Sequence, residues 1–133
     1  MPWGVQTDWR RETLPKPEIL SYPLETNVID SGVINATGVT ADASGPYAGR
    51  RYLLAGTILS KRNDNQYERY TGDSGQNVAG ILFDTVEFAD DSDASDEPVA
   101  FLRRNVSFDS TKIVDYATHS AAVQAALTTC EFI

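Results

Sequence analysis

The apolar residues of this chain fall in short runs rich in β-branched side chains, and clusters of Gly, Asn, Asp and Ser separate those runs. Such punctuation marks strands and turns. Helical spacing is carried by a late stretch, "THSAAVQAALTT", where His119, Ala122, Val123, Ala126 and Leu127 fall on one face and Thr118 or Ser120 is placed to cap the start. With one short C-terminal helix and no strand–helix alternation, the expected fold is mainly β, a small barrel or sandwich of short antiparallel strands. The 133 residues suit a single core. The expected division is an extended N-terminal arm over residues 1–27 and one β-rich domain over residues 28–133.

Within that domain, "VIDSGVINATGVTADASGPYAG" at 28–49 reads as short strands and turns. "RRYLLAGTILSK" reads as one strand, with Tyr52, Leu54 and Ile58 on one face and Leu53, Ala55, Thr57 and Leu59 on the other. Both faces are largely apolar, which predicts a central strand covered on both sides. "YERY" at 67–70 is expected to return as an edge or hairpin strand, "VAGILFDTVEF" at 78–88 as a bent strand or two short ones, "PVAFLRRNVSF" at 98–108 as a strand, and "CEFI" as the last strand. The echo between "LLAGTIL" and "VAGILF" lies within these runs rather than between a strand and a helix, where a phosphate loop would sit. Its Ala–Gly pairs predict close backbone packing or a bulge.

The first 27 residues hold four prolines and both tryptophans. Proline removes amide donors and disfavours helix around it, so this segment is expected to run extended. Trp3, Trp9, Leu14, Ile19, Leu20 and Tyr22 make it too apolar to stay solvated throughout. It must dock on its own domain or on another protein, and Arg10–Arg11 beside Trp9 suit a protein interface, where Trp and Arg are enriched.

Charge and motif narrow the chemistry. Residues 1–71 carry eight acids and eight Lys/Arg, whereas residues 72–133 carry eleven acids and three Lys/Arg, giving a net charge of -8. A surface of that sign repels phosphate backbones, so direct nucleic-acid binding is not expected. Cys130 and His119 are the sole residues of their types, which leaves no disulfide, no cysteine cluster and no two-histidine zinc motif. The acidic run "ADDSDASDE" at 89–97 offers Asp90, Asp91, Asp93, Asp96 and Glu97, yet it lacks the glycine and distant glutamate of a helix-flanked calcium loop. No GxSxG elbow places a nucleophile, and no cofactor is expected. No apolar leader and no membrane-length apolar run stand in the sequence, so neither export nor insertion is expected. Tyr67 and Tyr70 leave open a small binding module in which exposed rings stack on sugar.

The blocks "GRRYLLAGTILSKRNDNQYERYTGDSGQNVAGILFDTVEF", "PVAFLRRNVSF", the alanine-rich helix and "CEFI" together resemble the lambda-type head decoration proteins of tailed bacteriophages. The resemblance covers about residues 49–133. It implies a β-clip fold, no enzymatic activity, and a homotrimer at local three-fold positions on the outer surface of the expanded virion capsid, where it binds the major capsid protein and cements the shell. It also implies that the N-terminal arm is the capsid-binding element; the resemblance assigns no single contact there, and the arm residues expected to make them, from their own chemistry, are Trp3, Trp9, Arg10, Arg11, Leu14, Ile19, Leu20 and Tyr22. Deleting residues 1–27 would then leave a folded domain.

Overall fold

A computed structural model of the chain describes residues 13–21, 29–88 and 96–133. The described chain is mainly β with one helix near its C-terminus. The strands are β1 (Ile29–Ile34), β2 (Arg51–Leu53), β3 (Ile58–Lys61), β4 (Tyr67–Arg69), β5 (Val78–Leu82), β6 (Val86–Phe88), β7 (Glu97–Leu102), β8 (Ser107–Phe108) and β9 (Glu131–Phe132), and the helix is α1 (Tyr116–Ala126). Five of them close a barrel in the order β1-β4-β3-β5-β7, while β2 pairs with β6 and β8 with β9. Most pairings are antiparallel, as expected. Two are not: β1 runs parallel to β4 through Ile34 and Tyr67, and β8 runs parallel to β9. A barrel closed by first and later strands need not reverse direction at every contact, because long connections bring those strands together.

The core has two compartments separated by the barrel wall. Inside lie Ile34, Leu59, Leu82 and Phe101, continued by Leu53 and Phe88 from the β2–β6 ribbon. Outside, Ile58, Ile81 and Leu102 meet Phe108, Ile113, Val123 and Leu127. Alternation along β3, β5 and β7 therefore sends successive side chains to different compartments. The doubly covered strand read from the sequence is β3, whose Ile58, Leu59 and Ser60 are all buried.

The single strand expected over "RRYLLAGTILSK" is instead two, β2 and β3, separated by a turn at Ala55–Gly56. Gly56 has φ +95°, donates to the Leu82 carbonyl at 2.9 Å and accepts from the Val114 amide at 3.0 Å. Local alternation could not reveal this break, because partners distant in sequence hold the turn. The second glycine of the echo, Gly80, sits within β5. A Cβ there would lie 2.6 Å from Phe101 Cδ2 and 2.9 Å from the Leu102 carbonyl oxygen. The β3–β5 register slips beside it, from Leu59 opposite Gly80 to Ser60 opposite Val78. Close packing and a bulge thus coincide at this site.

"VAGILFDTVEF" resolves into β5 and β6, and "PVAFLRRNVSF" breaks between β7 and β8. The helix begins at Tyr116, two residues before Thr118 and four before Ser120, the alternative caps read from the sequence; its N-cap is Asp115, in the left-handed conformation and without a side-chain cap bond. A tight turn, with the Tyr116 amide donating to the Ile113 carbonyl at 3.2 Å, starts the helix early. Val123 is its buried anchor, and Leu127, just past its C-terminal end, is buried beside it. An aromatic stack of Phe108, Phe132 and Tyr116, each neighbouring pair 5.2 Å apart, joins β8, β9 and α1.

Candidate functional site

The segment around Ile19 is laid along the domain as a strap. Pro15 and Pro17 keep residues 13–19 out of helix, and the Pro15 carbonyl accepts a 2.6 Å hydrogen bond from Thr85 Oγ1. Ile19 is 1% exposed and belongs to the outer core with Ala55, Ile58, Ile81 and Phe108. Its carbonyl accepts from the Asp109 amide, and the Ser21 amide donates to the Ser107 carbonyl, both at 2.8 Å. Leu20 bridges Phe108 in antiparallel fashion, so the strap adds an edge to the β8–β9 pair. Leu14 is buried as well.

Of the eight arm residues read as capsid-binding, Leu14, Ile19 and Leu20 therefore pack against this domain. Trp3, Trp9, Arg10, Arg11 and Tyr22 lie outside the described residues. Leu14 and Ile19 pack into the domain ahead of the boundary at 28 read from the sequence. The strap's prolines signalled extended structure correctly but could not say that Ile19 fills a place in the outer core.

The two described arginine doublets have structural partners. Arg50 makes a bidentate pair with Glu87 through Nε and Nη2, each at 2.8 Å, tying β2 to β6. Arg51 Nε donates to the Val39 carbonyl at 2.7 Å and its Nη2 to the Ala36 carbonyl, fixing the short 3-10 turn Ala36–Gly38. Arg103 and Arg104 share one carboxylate, Asp30, at 3.0 and 3.7 Å.

From the acidic run, Asp90, Asp91 and Asp93 lie outside the described residues. Asp96 accepts from the Ala36 amide at 3.0 Å and from Gln66 Nε2 at 2.9 Å, and these bonds hold its carboxyl below the usual range. Among the described residues, no three His, Cys, Asp or Glu side chains group as metal ligands. Burial pushes the half-buried Cys130 thiol up, which keeps it protonated at neutral pH.

Tyr67 and Tyr70, read as open stacking platforms, face neighbours instead. Tyr67 packs on Phe101 at 4.8 Å between ring centres, and Tyr70 meets His119 edge-on at 5.0 Å. Barrel closure turns both rings toward the core. A cleft of about 520 Å³ lies between the β3–β4 hairpin and the following loop, beside Lys61, Arg62 and Glu68. Gln76 staples that loop by accepting from the Thr71 and Asp73 amides and donating to Glu68 and the Arg69 carbonyl.

A smaller cleft of about 210 Å³ is lined by Asp42, Tyr52, Thr57 and Arg69. There the Tyr52 hydroxyl donates to Asp42 Oδ2 at 2.6 Å, and that bond, followed by desolvation and the carboxylate's charge, pushes the phenol up to about 12. The raised value favours the folded state below about pH 10, the ordinary tyrosine value, and the benefit is lost as pH rises toward 12. Ultraviolet titration of the folded protein should show one phenol lagging the others. Asp42→Ala should return it toward the ordinary value; an unchanged titration would break the assignment.

No family model, curated protein or solved structure matches this chain.

Proposed function

We propose that this chain is a head decoration protein that binds the major capsid protein on the outside of the expanded phage shell and stabilises it, as a trimer at three-fold positions. The observation that carries this reading is the strap: residues 13–21 are pinned to the domain at Pro15, Ile19 and Ser21, by Thr85, Asp109 and Ser107. The sequence leading into it carries Trp3, Trp9 and Arg10–Arg11. A recognition segment tethered at a fixed point loses less freedom on binding than a free peptide does. Three such segments in a trimer raise avidity when all can engage at once. Binding that selects the expanded shell stabilises it by mass action. The resemblance over residues 49–133 supports the same reading, which requires no bound cofactor and no reaction.

The strap also sets where the test must cut. Removing residues 1–27 would take Leu14 and Ile19 out of the core, so a loss of binding would report unfolding as much as lost contacts. Removing residues 1–12 spares both. Co-sedimentation with expanded capsids lacking the protein should show saturable binding by the full chain and a drop of at least about tenfold for the shortened one, equivalent to about 1.4 kcal/mol. A full-length chain that ignores properly expanded cognate shells overturns the function. A shortened chain that saturates them overturns the role of the leading segment.

A further inference from the structure

The smaller cleft, of about 210 Å³, lies at one end of the barrel. It is bounded by residues 38–40 after β1, by Thr57 before β3 and by Arg69 at the end of β4. Because β4 runs parallel to β1 and antiparallel to β3, those three places fall at the same end. The floor is apolar: Val39 and Leu53 belong to the inner core, and Leu54 and Val114 line the cleft with them. Arg69 stands directly opposite Leu59, and opposite residues share a face of the sheet. Leu59 is buried in the inner core, so the Arg69 side chain is on the inward side, at the exposed rim where β4 ends. Asp42 reaches the same cleft from the loop ahead of β2. An apolar barrel mouth with a few convergent polar groups is a recurrent form of small-molecule site.

The two opposite charges of this cleft do not meet. Asp42 Oδ2 accepts from the Tyr52 hydroxyl at 2.6 Å, while its Oδ1 accepts from no described residue. The Arg69 guanidinium makes neither an ion pair nor a hydrogen bond among the described residues. The larger cleft differs, because its Arg62 is closed on Asp64 and Glu68. We propose that the smaller cleft binds a small zwitterion with an apolar body, the chemistry of a free apolar α-amino acid. The ligand's ammonium meets Asp42 Oδ1, its carboxylate takes the planar guanidinium of Arg69, and its side chain lies over Val39 and Leu53. Tyr52 acts as a positioning residue that fixes the Asp42 carboxylate. The volume sets the size of the occupant: it falls below the roughly 300–1,000 Å³ of sites for drug-sized ligands, which suits one amino acid rather than a peptide.

The test is titration of the full chain, without capsids, with leucine, isoleucine, valine and methionine, followed by amide chemical shifts of isotope-labelled protein. At least one should give saturable shifts at residues 38–42, 52–54 and 69, with a Kd between about 10 µM and 1 mM, the range open to so small a ligand. The N-acetyl form of the tightest binder lacks the ammonium and its amide lacks the carboxylate, so each should bind at least about tenfold more weakly. Arg69→Gln and Asp42→Asn should each cost about tenfold or more. Asparagine keeps an oxygen for the Tyr52 hydroxyl, and circular dichroism reports retained fold. Arg62→Gln, in the larger cleft, should leave binding unchanged. No saturable shift with any of the four up to about 10 mM overturns the proposal. So do analogues that bind as tightly as the parent, binding that survives Arg69→Gln, or binding lost in Arg62→Gln. No arm of this test involves a capsid, so the amino-acid site and the capsid reading can fail separately.

Discussion

Replacing Ile19 by alanine is expected to lower the stability of the domain by about 2–4 kcal/mol, the usual range for emptying a well-packed isoleucine site. For a chain of this size that is a fall in Tm of roughly 10 °C. Ile19 is 1% exposed and shares its cluster with Ala55, Ile58, Ile81, Leu102 and Phe108. Its neighbours come from the barrel wall, from β8 and from the turn at Gly56, so they cannot all close on the space left behind. Removing residues 1–21 should do more, because it uncovers Phe108, strips the outer edge of the β8–β9 pair and leaves the Asp109 amide without the Ile19 carbonyl. Urea unfolding followed by circular dichroism should then show no cooperative transition, or one far below that of the full chain. Cutting at residue 12 should cost much less than cutting at residue 21. Equal midpoints for the two truncations would mean that the strap is a removable arm after all.

The strap shows why the fold was more legible in the sequence than the surface that would use it. Helical spacing from His119 to Leu127 repeats over about two and a half turns and locates α1 to within a few residues, the apolar run VAGIL locates β5, and the aromatic-bearing stretches YERY and CEFI hold β4 and β9. These signals are local. The features that escaped depend on partners distant in sequence: the parallel pairing of β1 with β4, the burial of Ile19, and the inward turn of Tyr67 onto Phe101. Arg50 and Arg51 make the same point, since the doublet could not reveal that one arginine grips Glu87 and the other a pair of carbonyls. The candidate site was legible only as a composition, Pro-rich and Trp-bearing. Composition says that such a segment must dock, but only the geometry of the outer core says which part docks on its own domain.

Gly56 is where that distant determination is strongest, and Gly56→Ala is expected to destabilise the protein by about 3–5 kcal/mol. Two effects combine. The backbone at φ +95° disfavours any side chain, at about 1–3 kcal/mol. The added Cβ would also lie 2.5 Å from the Lys112 carbonyl oxygen and 3.2 Å from Ile19 Cγ2, and forcing such overlap costs about 1–3 kcal/mol more. Neither neighbour yields easily: Lys112 offers backbone rather than a flexible side-chain end, and Ile19 is the buried anchor of the strap. Relaxation would strain the bonds from Gly56 to Leu82 and from Val114 to Gly56, which link the β2–β3 turn to β5 and to the approach to α1. Gly80→Ala supplies the comparison. It also meets backbone, the Leu102 carbonyl oxygen at 2.9 Å, but adds no penalty for a positive φ, so its loss should be the smaller of the two. Thermal melts of both variants decide the matter: a Gly56→Ala protein as stable as the native chain would mean that the turn can reshape freely, and that the strap and the barrel are not joined through it.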